Sequence, residues 1–217
     1  MDFIQTRDGS YTAYCERYKD YYHTLVGALV QARKLFLEPG KLSDSMNILD
    51  LGFGLGYNTA VALSKHKNLN IFAIENDISI VKAIKKLPPP AELKAEFALL
   101  SEIHKKVTVS DSKGNNVELL TGNALHLVPT LPTGFFDRIF FDPFSPERQP
   151  ELWSREIFEE MFRILKKKGY MITTYCSRTV KSSMEKCGFS IRKFDGIGRK
   201  VSSAVATKKK GSNLFGS

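Results

Sequence analysis

The chain has 217 residues, with 32 Lys and Arg against 23 Asp and Glu, a formal net charge of +9 and 42% hydrophobic residues. That composition excludes a disordered, collagenous or disulfide-scaffold chain, and no apolar run approaches the roughly 18 residues of a membrane helix. The length suits one domain that buries roughly 70% of its unfolded surface.

The N-terminus MDFIQTRDGS lacks the basic-then-apolar pattern of a signal peptide. Cys15, Cys176 and Cys187 are odd in number and far apart, and form no CxxC or Cys/His pair with metal-ligand spacing. They read as reduced thiols of a cytoplasmic protein with no metal site. The charge is uneven: residues 161–210 hold 14 basic and two acidic residues, a net +12, while the remainder is −3. Such a field draws polyanions, although a lysine-rich solvated surface is a common alternative.

In chain order, aromatic and polar residues (Tyr11, Tyr14, Tyr18, Tyr21, Tyr22) precede apolar residues at helical spacing, which predict a helix from Tyr22 to Leu37, stopped by Pro39-Gly40. A strand over Met46–Leu51 leads into the turn Gly52–Gly56 and a helix from about Tyr57 to Ser64. A second strand, Asn70–Ile74, ends in Glu75, and Ile78–Leu87 forms the next helix. After Pro88-Pro89-Pro90 the pattern predicts a helix over Ala91–His104, then extended segments Val107–Ser110 and Val117–Thr121 around a turn. Phe136–Phe141 reads as a buried strand ending at Asp142-Pro143. Arg155–Lys167 is amphipathic, with Gly169 placed to end it. A strand (Tyr170–Tyr175), a short helix (Thr179–Lys186) and two strands (Phe189–Phe194, Val201–Ala206) complete the pattern.

Alternating strands and helices define an α/β fold, a mainly parallel sheet covered on both faces, in which ligands bind at the carboxyl ends of the strands. The informative residues therefore follow the strands. Asp50-Leu51-Gly52-Phe53-Gly54-Leu55-Gly56-Tyr57-Asn58 follows the first, and its glycines permit a sharp bend and close approach to a ligand. Nicotinamide, flavin and adenosylmethionine sites all use such a turn. Glu75 ends the second strand, where an acid accepts from both ribose hydroxyls of an adenosine. Asn123, after the third, serves either an adenine amino group or a helix N-cap. Asp142-Pro143-Phe144-Ser145-Pro146 forms a stiff loop after the fourth, in which Asp142 can orient an amine and Phe144 can stack on a base. Trp153 reads as a core anchor more than a stacking residue.

These motifs, in this order, resemble class I S-adenosylmethionine-dependent methyltransferases. More narrowly, FFDPFSPERQPELW (140–153) is similar to the FLDGFAPxxNPxxW signature of the bacterial tRNA 5-methylaminomethyl-2-thiouridine methyltransferases, and GFGLGYN (52–58) to their GFGTGLN. DGSYT (8–12), YHTLVGA (22–28) and CGFSIRKFDGIGRK (187–200) match further segments of that family. Asn123 stands where the family more often has Asp, Thr24 where it has Ser, and Asp142-Pro143 where it has Asp-Gly.

The resemblance implies a Rossmann-like domain over 1–207 with an antiparallel last strand, an N-terminal extension over 1–45 and a mobile tail over 208–217. It implies methyl transfer from S-adenosylmethionine to the amine of 5-aminomethyl-(2-thio)uridine at the wobble position of tRNA. The expected cofactor-binding residues are Gly52, Phe53, Gly54, Gly56, Asn58, Glu75, Asn123 and Asp142. Asp142 holds the amine, with Tyr22, His23 and Phe144 around it, and Arg199, Lys200 and Lys166, Lys167, Lys168 hold tRNA phosphates. No membrane contact and no fused flavin oxidoreductase domain are expected. The competing readings are an aminopropyltransferase, disfavoured by the basic charge balance, a methyltransferase acting on a protein or small-molecule amine, and an RNA-binding module with a vestigial pocket.

Overall fold

The structure, a computed structural model, describes residues 2–198 and 200–209. Eight strands form the central sheet: β4 (Asn47–Leu51), β5 (Asn70–Glu75), β6 (Thr108–Ser110), β7 (Asn116–Thr121), β8 (Phe136–Phe141), β9 (Leu165–Thr173), β10 (Phe189–Phe194) and β11 (Ser203–Lys208), in the order β10-β11-β9-β8-β4-β5-β7-β6. The five strands from β9 to β7 in that order run parallel. β11 enters antiparallel between β9 and β10, and β6 caps the other edge antiparallel to β7. The expected α/β sheet with its antiparallel last strand is thus the one observed. The strand order reverses between β4 and β8, which places the ligand crevice beyond their carboxyl ends.

The strands are continuous apolar runs because successive residues point to opposite faces and both faces are covered. Ile48, Phe140, Ile172 and Val205 face one core; their neighbours Leu49, Ile139, Met171 and Ala204 face the other. The first core is closed by α1 (residues 28–40, with a π-helical stretch Ala32–Leu37), α2 (Tyr57–Lys65), α3 (Ile78–Ala83), α4 (Lys94–Leu100) and α5 (Ile103–Lys106). The second is closed by α6 (Ala124–Leu127), α7 (Arg155–Ile164) and α8 (Arg178–Lys186). Among the described residues no helix is long and apolar enough to cross a membrane.

The N-terminal extension departs most from expectation. Phe3–Gln5 (β1), Tyr11–Cys15 (β2) and Asp20–Tyr21 (β3) form a separate antiparallel sheet. The first helix begins at Ala28, not Tyr22, because its orphan N–H groups are satisfied from far upstream. Ser10 Oγ accepts from the amides of Ala28 (3.0 Å) and Leu29 (3.3 Å), and Asp8 Oδ2 from that of Val30 (2.8 Å). Gly27 lies so close to the Asp8 carboxylate that a Cβ there would collide with it. The DGSYT segment is therefore a remote cap for α1.

Other boundaries move as well. The amphipathic helix stops at Ile164, and Leu165 already pairs with Phe136 as the start of β9. Gly169 lies inside that strand at its register shift, where a Cβ would fall 2.6 Å from Leu165 Cδ1, so its lack of a side chain serves the bulge rather than a helix end. The segment 91–106 is broken into a 3₁₀ turn and two short helices. The last strand runs to Lys208, whose Nζ sits 4.5 Å from the Phe162 ring centroid, so Lys208 belongs to the sheet and not to the expected tail; residues 210–217 of that expectation lie outside the described residues.

Candidate active site

A cavity of about 320 Å³ opens at the carboxyl ends of β4, β5, β7 and β8, with the 15–23 segment of the N-terminal extension among its walls. Its floor begins at the glycine turn. Gly52 adopts φ +87°, and a Cβ on it would fall 2.5 Å from the Asp142 carbonyl oxygen, so glycine is what lets the ends of β4 and β8 meet. Gly54 (φ +53°) lines the cavity and directs its N–H to Glu75 Oε2 at 2.9 Å. Glu75 Oε1 accepts from the amides of Asn76 and Asp77 at 2.8 and 2.9 Å. These three bonds aim the carboxyl at the cavity; burial pushes its pKa up while the backbone donors oppose that shift.

Phe53 and Gly56, expected at the cofactor, do not line the cavity. The Phe53 side chain is 2% exposed and packs in the core, and its N–H is taken by the Ile74 carbonyl. Gly56 faces the Phe53 ring and Leu100 rather than the cavity, and serves the turn into α2 at φ +79°. Asn58 acts one step back: it is buried, and its Nδ2 donates to Asp142 Oδ2 at 3.2 Å. Asn123 lines the cavity, but its Oδ1 accepts from the Leu125 amide at 3.0 Å, the N-cap alternative.

Asp142 is held from three elements. Its Oδ2 also accepts from Gln31 Nε2 of α1 (3.3 Å), and its Oδ1 from Thr174 Oγ1 just beyond β9 (3.1 Å). Three donors on one carboxyl fix its orientation. Beneath it lies Asp50, fully buried, with Thr59 Oγ1 on Oδ2 at 2.7 Å and no partner on Oδ1. Burial pushes the Asp50 carboxyl up to about 7; the Thr59 bond opposes this and the negative charge of Asp142 adds to it.

The walls are aromatic. The Phe144 ring lies 4.6 Å from Tyr18, tilted 31°, and 5.2 Å edge-on from Tyr22. Gln149 ties the loop to the extension, accepting from the Phe144 amide (3.1 Å) and donating to Tyr18 Oη (3.0 Å). Trp153 packs edge-on against Phe141, and its indole N–H donates to the Phe144 carbonyl at 2.7 Å, the anchoring role expected of it. The Tyr22 hydroxyl donates to Asp77 Oδ2 at 3.1 Å, and burial, with the charge of Glu75, drives its pKa far up. Tyr22 is therefore a donor and a wall, not a proton acceptor. His23 is 5% exposed, bonded to Thr12 Oγ1 and set edge-on to Tyr57.

Tyr18, Gln31 and Asp50 escaped the sequence reading as site residues. Gln31 left a trace, being the polar residue among Ala28, Leu29, Ala32 and Leu35 on the buried face of α1. The charged residues lining the cavity are Arg17, Glu75, Asp77, Asp142 and Glu151, so an acidic pocket sits in a chain of net charge +9. Whole-chain charge is thus no ground for excluding a polycationic ligand. Lys166, Lys167 and Lys168 occupy the amino end of β9, opposite the cavity, and Lys166 pairs with Asp137 at 2.7 Å. Lys200 is exposed in the 195–202 loop at the cavity end, where Gly198 abuts Thr24; Arg199 lies outside the described residues.

A carboxyl-end crevice with a glycine turn, a strand-end acid and an amine-suited carboxylate defines a class I methyltransferase. The model of an S-adenosyl-L-methionine-dependent methyltransferase family matches residues 91–209. An uncharacterised protein of Methanocaldococcus jannaschii is 28% identical over 210 residues, 94% of this chain and 59% of its own length. The tRNA 5-methylaminomethyl-2-thiouridine biosynthesis bifunctional protein MnmC of Paraburkholderia phytofirmans is 27% identical over 212 residues, 87% of this chain and 32% of that protein. The crystal structure of MNMC2 from Aquifex aeolicus superposes with a TM-score of 0.81 at 27% identity, covering 96% of this chain and 70% of that one. A spermidine synthase, at TM-score 0.67 and 15% identity, shares the fold alone. The chain belongs to the S-adenosyl-L-methionine-dependent methyltransferase family that this model describes and uses S-adenosylmethionine. It spans less than two thirds of the length of these two curated relatives.

Proposed function

We propose that the chain N-methylates the amine of 5-aminomethyl-(2-thio)uridine at the wobble position (34) of tRNA, giving 5-methylaminomethyl-(2-thio)uridine. The observation that carries this reading is Asp142: a carboxyl group locked by Asn58, Gln31 and Thr174 in the cavity lining, with Phe144 of the same loop set against the Tyr18 ring. The names of the MnmC relatives supply the substrate class. S-adenosylmethionine brings a methyl group on a cationic sulfur, and the acidic lining suits both that charge and an ammonium-forming substrate. Glu75 would accept from the ribose hydroxyls, Gly52 and Gly54 would border the cofactor, and Asn123 would lie beside its adenine. Asp142 accepts a hydrogen bond from the amine, orients its lone pair and balances the positive charge the nitrogen gains. Most of the rate then comes from positioning. The uracil ring lies against Phe144, while Lys200 contacts phosphates.

The test is transfer of labelled methyl into tRNA from cells lacking this modification, followed by nuclease digestion. Label in a nucleoside that co-migrates with authentic 5-methylaminomethyl-(2-thio)uridine is the expected result. Cofactor binding with no label in any tRNA overturns the substrate assignment, and turnover of a free or peptide-borne amine replaces it.

A further inference from the structure

A second groove of about 890 Å³ adjoins the cavity and shares Cys15, Arg17, Tyr22 and Asp77 with it. It runs between β1, β2 and α3, and its chemistry differs from that of the acidic cavity. Its cations are Arg17, Lys82 and Lys86, all exposed. None of the three has an ion-pair partner among the described residues; Arg17 instead lies 5.2 Å from the Tyr18 ring centroid. Of its acids, Glu16 is paired with Lys19 at 2.8 Å, and Asp77 caps α3 and accepts from Tyr22; Asp2 is the third. Ile4 (39% exposed) and Tyr14 (37%) line it, two of the four large hydrophobic side chains exposed among the described residues.

Unpaired cations beside exposed aromatic and aliphatic surface are what a single nucleic-acid strand needs. Phosphates pair with the charges and bases rest on the apolar faces. Resting on the tRNA reading above, we propose that this groove holds the nucleotides adjoining the modified one. The loop backbone then passes Arg17, Lys82 and Lys86 while the target base enters the cavity at Tyr18 and Phe144. The lysines at the amino end of β9 take no part. The three cations of the groove offer phosphates the ion-pair partners that the acidic cavity, with Arg17 as its only lysine or arginine among the described residues, does not supply.

The test compares Lys82→Gln/Lys86→Gln with the wild-type chain on hypomodified tRNA and on the free nucleoside 5-aminomethyl-2-thiouridine. The ratio of kcat/KM for tRNA to that for nucleoside is expected to fall tenfold or more through KM. The salt slope of tRNA binding is expected to drop by about 1.4, two contacts at roughly 0.7 each on a single strand. Cofactor affinity, measured by calorimetry, reports that the variant is folded, and Tyr14→Ser supplies an independent variant expected to raise KM for tRNA. An unchanged ratio and slope in a folded variant overturn the groove assignment and leave the tRNA reading standing. A wild-type chain that labels nucleoside but no tRNA overturns both. A dimer in solution that Lys82→Gln/Lys86→Gln dissolves shows the groove to be a self-association face and also overturns the assignment.

Discussion

The two ends of the central sheet carry opposite electrostatics and different kinds of order. At the carboxyl end, Asp50, Glu75, Asp77 and Asp142 converge under an aromatic roof, each held by named donors. At the amino end, Lys166–Lys168 form a lysine run, with Lys166 bonded to Asp137. The densest basic run in the amphipathic helix-to-strand segment is thus spent away from the chemistry. The cations near the chemistry are scattered through the sequence at positions 17, 82, 86 and 200. Charge acts through distance in space, and with a screening length of about 8 Å the far end of the sheet has little influence on the pocket.

The largest effect is expected at Asp142. Asp142→Ala should lower kcat in the labelled-transfer assay by about 10²–10⁴ with much smaller loss of cofactor affinity, because the carboxylate acts on the amine. A loss confined to cofactor affinity would move Asp142 out of the amine-binding role and break the contrast at its centre.

Next comes Asp50. Its folded pKa of about 7 lies above its unfolded value, so between about pH 4 and 7 the unfolded chain sheds the proton first and stability falls as pH rises. The full shift corresponds to up to about 4 kcal/mol. Asp50→Asn removes one group that must charge, so its denaturant midpoint should decline less from pH 5 to 7.5 than that of the wild-type chain, the remaining slope coming from Glu75. A wild-type midpoint that rises over that range would show Asp50 to be ionised throughout.

Smaller still is the remote cap. Ser10→Ala strips two amides of α1 of their acceptor and should lower stability by about 1–2 kcal/mol, read as a shift in denaturant midpoint. The smallest effect sharpens the comparison from the other end: Lys167→Ala/Lys168→Ala should change KM for tRNA by less than twofold. A tenfold rise would show that RNA wraps to the amino end.

What could be read in the sequence follows from how local each cause is. The sheet was legible because paired apolar faces leave an unbroken run in each strand, and the Asp142–Phe144 loop because its residues are contiguous. Phe53 misled because a motif names positions and not directions, and its ring turns into the core. The start of α1 is not legible locally because its cap comes from Asp8 and Ser10, in the turn between β1 and β2. Gln31, Thr174 and Asp50 became legible as site residues only when Asp142 was seen to gather them from three elements. Tyr18 sat in an aromatic cluster with nothing to separate the ring that meets Phe144 from those that brace the roof.

The contrast between the two ends is tested most directly by amide hydrogen exchange of the whole chain with and without hypomodified tRNA. Protection is expected in 3–23 and 78–86, around the cavity and its groove, with exchange at 165–169 unchanged. Protection at 165–169 without any at 3–23 would place the RNA on the wrong end of the sheet and contradict the account.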